Sequence, residues 1–79
     1  RPAYPSSARR LGVQGTTLLN VLVDDDGRVA NVVVAQSAGH TDLDQAAADA
    51  ARRWRFEPAR RVAEKGAMRV QLPVEFRLR

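Results

Sequence analysis

The chain has 79 residues and no cysteine, which sizes it for one small domain and excludes a disulfide framework or a thiolate metal centre. A formal net charge of +4, carried almost wholly by arginine, favours anionic partners and says nothing about fold. No apolar run reaches the ~18 residues needed to cross a bilayer, and no secretory signal pattern opens the chain.

The first element is a short helix in "YPSSARRLG". Pro5 suits its first turn and Gly12 its left-handed stop, while Ala8 and Leu11 form a narrow apolar stripe with Arg9 and Arg10 outward. From Gly15 the period changes to two. Thr17, Leu19, Val21 and Val23 fall on one face of a strand, and Thr16, Leu18, Asn20 and Leu22 on the other. "DDDG" then predicts a hairpin turn at Asp26-Gly27. The second strand holds Val29, Val32 and Val34; its inward spacing slips between Val29 and Val32, which predicts a bulge near Ala30–Asn31.

Beyond the polar loop "SAGHTD", Thr41 or Asp42 is expected to cap a helix whose stripe is Leu43, Ala46, Ala47, Ala50 and Trp54. Asp42 and Asp44 in its first turn and Arg52 and Arg53 in its last match the helix dipole. Pro58 closes that segment, and Ala59–Ala67 reads as a charged loop. The final strand alternates most regularly. Met68, Val70, Leu72, Val74, Phe76 and Leu78 share one face, and Arg69, Gln71, Pro73, Glu75 and Arg77 the other. Proline in mid-strand argues for a sheet edge.

The pattern predicts an α+β fold of topology α-β-β-α-β. A hairpin followed by a right-handed helical crossover gives a three-stranded antiparallel sheet in order 2-1-3, with both helices on one face.

Chemical motifs are sparse. Read as a calcium loop, "DDDG" would place Leu22 at the first ligand position and Val33 at the last, so the pattern fails at both ends. His40 is the sole histidine, and Ser37, His40 and Asp42 in one short loop supply neither a convergent triad nor a metal set. No enzyme, cofactor or metal site is expected. "RRWRFEPARR" invites a nucleic-acid reading, since cations with interleaved aromatics grip single strands. Trp54 and Phe56, however, continue the apolar side of the helix and its exit, with Arg53 and Arg55 outward. The stretch reads as scaffold, and no nucleic acid is expected as a partner.

Taken in order, "YPSSARRLGVQGT", "VDDDGRV", "VAQSAGHTDLDQAA", "RRWRFEPA" and "VQLPVEFRL" resemble the C-terminal domain of TonB-type energy transducers over essentially the whole chain. The pieces that carry the resemblance are Tyr4-Pro5, the hairpin around Gly27, Leu43-Asp44, and the run holding Trp54, Phe56 and Pro58. The resemblance implies one domain over 1–79, belonging to a longer protein anchored upstream in the inner membrane of a Gram-negative bacterium. It implies a periplasmic location and a drive from an ExbB–ExbD proton-motive complex. It further implies capture of the "TonB box" of outer-membrane receptors that import siderophores, cobalamin or similar cargo. The box would add along the last strand, with Arg69, Val70, Gln71, Leu72, Val74 and Glu75 as its contacts.

Two features depart from the family pattern. Thr17 stands where an aliphatic residue is usual, and the Ala59–Ala67 loop is long and charged. An alternative reading is a TonB-like structural or homodimerisation module of another periplasmic protein, using the same edge and the half-apolar outer face at Leu18 and Leu22.

Overall fold

A computed structural model describes residues 3–57 and 66–78; the expectations for Pro58 and for most of the 59–67 loop lie outside the described residues. The elements are α1 (Ser6–Leu11), β1 (Gly15–Val23), β2 (Val29–Gln36), α2 (Thr41–Arg52) and β3 (Met68–Phe76). The strands form one antiparallel sheet in the order β2-β1-β3, as the alternation and the crossover rule predict.

β1 is central, and its two-residue period shows directly in burial. Thr17, Leu19, Val21 and Val23 are buried under α2, while Thr16 and Asn20 face solvent. The core joins these to Ala8, Leu43, Ala47, Ala48, Ala51, Val74 and Phe76. The α2 stripe is wider than its sequence spacing suggests, because Ala48 and Ala51 are buried beside Ala47 and Ala50. Small side chains on several faces let the helix settle low onto β1 and β2.

Three local expectations need correction. Leu11 is 79% exposed, so Ala8 alone carries the apolar side of α1. A six-residue helix docks through about one turn, and Leu11 sits at the end that turns away. His40, neither Thr41 nor Asp42, occupies the N-cap of α2, in extended geometry and without a side-chain cap. Trp54 lies beyond the end of α2 at Arg52 and is half-buried. It still packs against the core together with Phe56, and Arg53 and Arg55 are exposed, as a scaffold role for this stretch requires.

The bulge expected near Ala30 is present: Leu22 pairs with Asn31 and Val23 with Val29, skipping Ala30. A second bulge, which the spacing does not reveal, skips Ala35 between the Leu19–Val34 and Leu18–Gln36 pairs.

The hairpin turn is built around Asp24, whose carboxylate accepts from the N–H groups of Asp26 and Arg28 at 2.9 Å each. Gly27 takes φ +84° and is pressed against the exit from α2, where the Phe56 N–H donates to its carbonyl at 2.8 Å. A Cβ at Gly27 would meet the Phe56 carbonyl oxygen at 1.9 Å. Gly12 has a similar φ of +71° but nothing within 4 Å of its missing Cβ. Gly27→Ala is therefore expected to cost about 2–3 kcal/mol, and Gly12→Ala only about 1 kcal/mol of left-handed backbone strain. Urea unfolding of the two variants checks the difference.

Candidate functional site

The direction of every main-chain group on the sheet follows from the register. The Asp24 N–H donates to the Arg28 carbonyl at 2.8 Å, so at that end β1 addresses β2 through Asp24. Backbone groups alternate sides along a strand, so Leu22, Asn20 and Leu18 also face β2, and Val23, Val21 and Leu19 face β3. In the β1–β3 register the latter three pair with Met68, Val70 and Leu72. Those residues therefore address β1, and the groups of Arg69, Gln71, Pro73 and Glu75 point outward. Among the described residues no strand receives them.

This divides the six residues singled out on the last strand. Arg69, Gln71 and Glu75 are exposed and offer outward N–H and C=O groups. Pro73 adds a carbonyl but no donor. Val70 and Leu72 are half-buried and Val74 is buried, so their side chains belong to the core face and their backbones to β1. The outer face beside this edge is lightly laced. Gln71 Nε2 donates to Asn20 Oδ1 at 3.2 Å, and Arg77 pairs with Glu75 at 3.0 Å with both side chains largely in solvent. An exposed pair of that kind contributes little stability. Leu18 and Leu22 are half-buried on the same face.

The Phe76 end of β3 is pinned by the N-terminal motif. The Tyr4 ring meets Phe76 edge-on at 5.4 Å and 83°, its hydroxyl donates to the Val13 carbonyl, and the Arg9 guanidinium lies 5.6 Å from its centroid. Pro5 sits at the N-cap of α1 with ψ 136°, which steers the chain from this clamp into the helix. At the opposite end, the Gly66 N–H donates to the Asp25 carboxylate, joining the hairpin to the entry of β3.

A polar cluster that reaches from buried Thr17 to the surface at Ser37 holds the sheet to α2, and sequence reasoning missed it. Thr17, fully buried, donates its hydroxyl to Asp44 Oδ1 at 2.8 Å; the Ala38 N–H donates to the same oxygen at 2.8 Å, and the Ser37 hydroxyl donates to Oδ2. The polar residue at position 17 therefore ties β1 to α2 in place of an aliphatic contact. Nearby, Ser7 donates to Asp42 at 2.6 Å, linking the two helices. Ser37 and Asp42 thus have partners other than His40; Asp42 lies in the first turn of α2, and the loop before it is tied to Asp44 through Ser37 and Ala38.

Burial raises the Asp44 carboxyl, but the hydrogen bonds from Ser37, the Ala38 N–H and Thr17, aided by the charge of His40, bring it below its ordinary value of 3.8. A carboxylate lowered on folding contributes its stability in full above that ordinary value, and the contribution is lost as pH falls through the lowered folded value. Asp44→Asn is expected to cost about 1–3 kcal/mol at pH 7. The gap to the parent should narrow below pH 3.8, as acid titrates the carboxylate of the parent alone. Paired urea melts from pH 7 to pH 2.5, a range of about two ordinary carboxylate widths below neutrality, check both the cost and the narrowing.

Comparison with known proteins places this arrangement. The family model described as Gram-negative bacterial TonB protein C-terminal matches residues 1–78. Protein TonB of Xanthomonas campestris pv. campestris is 49% identical over 77 residues, covering 98% of this chain and 34% of that protein. Protein tonB2 of Pseudomonas aeruginosa is 42% identical over 77 residues, covering 98% of this chain and 28% of its own length. The chain thus spans about a third of the length of these relatives. A solution NMR structure of the Helicobacter pylori TonB C-terminal domain superposes with a TM-score of 0.74 at 22% identity, over 99% of this chain and 70% of that one.

Proposed function

The chain belongs to the family of Gram-negative bacterial TonB C-terminal domains, and we propose that it is the periplasmic receptor-binding part of an inner-membrane-anchored energy transducer. In this reading the upstream part of the protein engages an ExbB–ExbD complex, and this domain takes the extended TonB box of an outer-membrane receptor onto the outer edge of β3. The proton-motive force is thereby coupled to active import of cargo such as siderophores.

One observation carries the reading. β3 pairs along its whole length, from Met68 to Phe76, with β1 on one side, and its other row of backbone groups meets no described strand. Such an edge recognises main chain rather than a side-chain code, so one domain can serve receptors whose boxes differ. The outward donors come from Arg69, Gln71 and Glu75, with a gap at Pro73, so an incoming strand forms only a few ladder bonds of about 1 kcal/mol each. Binding of that strength lets the complex form, bear a pull and release. The basic balance of the chain speeds encounter with an acidic receptor segment, an effect that salt screens.

Titration of the domain with synthetic receptor N-terminal peptides, read by amide NMR shifts, tests the assignment. The largest shifts are expected at Arg69, Gln71 and Glu75. Gln71→Pro removes an outward donor without breaking the ladder to β1, and should weaken binding about tenfold while leaving the fold in place. Unchanged affinity of a folded Gln71→Pro variant would exclude the β3 edge as the binding strand.

A further inference from the structure

Arg28 and Arg55 stand opposite one another in the bridge that joins the hairpin to the exit from α2. The bond beside them runs from the Phe56 N–H to the Gly27 carbonyl at 2.8 Å, between residues that flank the pair. That pattern makes them a non-hydrogen-bonded antiparallel pair, whose Cα atoms approach to about 4.5 Å with both side chains on one face. Their neighbours decide which face. Val29, Trp54 and Phe56 pack against the core, so alternation sends both arginines to the open side of the sheet, where they are exposed.

Like charges directly across a ladder oppose pairing. Nothing acidic offsets these two among the described residues, where the side-chain ion pairs are Arg52–Asp49 and Arg77–Glu75. Of the nearby carboxylates, Asp24 accepts from the N–H groups of Asp26 and Arg28, and Asp25 accepts from the Gly66 N–H. Asp26 lies in the turn without an ion pair to either arginine, and Glu57 has an interaction of its own. The backbone fixes the pair at this spacing. Gly27 is buried against Phe56, whose carbonyl oxygen lies 1.9 Å from where a Gly27 Cβ would stand.

We propose that Arg28 and Arg55 form a clamp for a phosphoryl group. Each guanidinium is a planar fork of N–H donors, and two forks held side by side can each give two bonds to one tetrahedral oxyanion. A phosphate monoester carries a charge of about −1.5 to −2 at neutral pH, which balances the pair, whereas a carboxylate balances only half of it. The spacing is set before the ligand arrives, so only the two side chains remain to be ordered. The clamp lies on the opposite flank of the sheet from β3, and it does not depend on strand addition there.

Side-chain NMR of the 79-residue chain at about pH 8 tests the clamp, with inorganic phosphate titrated against sodium chloride of equal ionic strength. The Nε–H signals of Arg28 and Arg55 are expected to shift together and to saturate with a Kd of about 1–10 mM. Arg28→Gln and Arg55→Gln should each weaken that binding at least about tenfold. Arg10→Gln removes the same charge from α1 and should weaken it less than about twofold. Without phosphate, Arg28→Gln should melt no lower than the parent, since it removes a repulsion. Phosphatidylcholine vesicles with and without phosphatidic acid separate the sources of the group. Retention on the phosphatidic acid vesicles that Arg28→Gln abolishes assigns a lipid headgroup. Saturation by free phosphate without such retention assigns a soluble phosphate compound. Shifts spread evenly over all the arginines overturn the proposal, as does a folded Arg28→Gln variant that binds phosphate like the parent.

Discussion

β1 is bonded on both sides, and the phase of that bonding sets where the remaining backbone groups of the sheet point. Leu19, Val21 and Val23 address β3, while Leu18, Asn20 and Leu22 address β2. Once the middle strand is satisfied, the outer rows of β2 and β3 meet no further strand among the described residues. A domain of this size with one three-stranded sheet cannot bury both rows, because its two helices are used to cover the face that carries the core. Exposed edges follow from that economy of material.

The two edges are handled differently by the side chains that flank them. The β3 edge is interrupted by Pro73 and bordered by charge, which suits brief engagement with a peptide whose main chain is the recognised feature. The β2 edge is uncharged and flanked by two bulges, which leave only a short regular run between them. The bulges increase local twist, so they restrict how long any added strand can follow the edge. Length and charge together limit promiscuous growth of the sheet, and neither strand relies on both devices.

Much of the fold was legible in the sequence because its signals are local. The period-two run from Thr16, the Asp26-Gly27 turn and the spacing of Leu43, Ala47 and Ala50 each report their own element, and connection rules then order the strands. The family could be read from motifs for the same reason. What was not legible depends on residues far apart in the chain. Thr17 seemed only a weaker substitute for an aliphatic residue, since its partner Asp44 lies 27 positions away. Leu11 looked apolar and inward until the docking angle of a short helix turned it to solvent. The Ala35 bulge leaves no mark in a run of valines and alanines, where either face accepts either residue. The outward direction of Arg69, Gln71 and Glu75 needed the register itself, which side-chain alternation implies but does not phase.

Among the described residues, the contact of Arg28 with Arg55 is, in effect, a single rung of a fourth strand. Each further rung laid down by the exit from α2 would take one more group from the outer row of β2. The backbone just after Trp54 thus shares one flank of the sheet with any strand that would be added there.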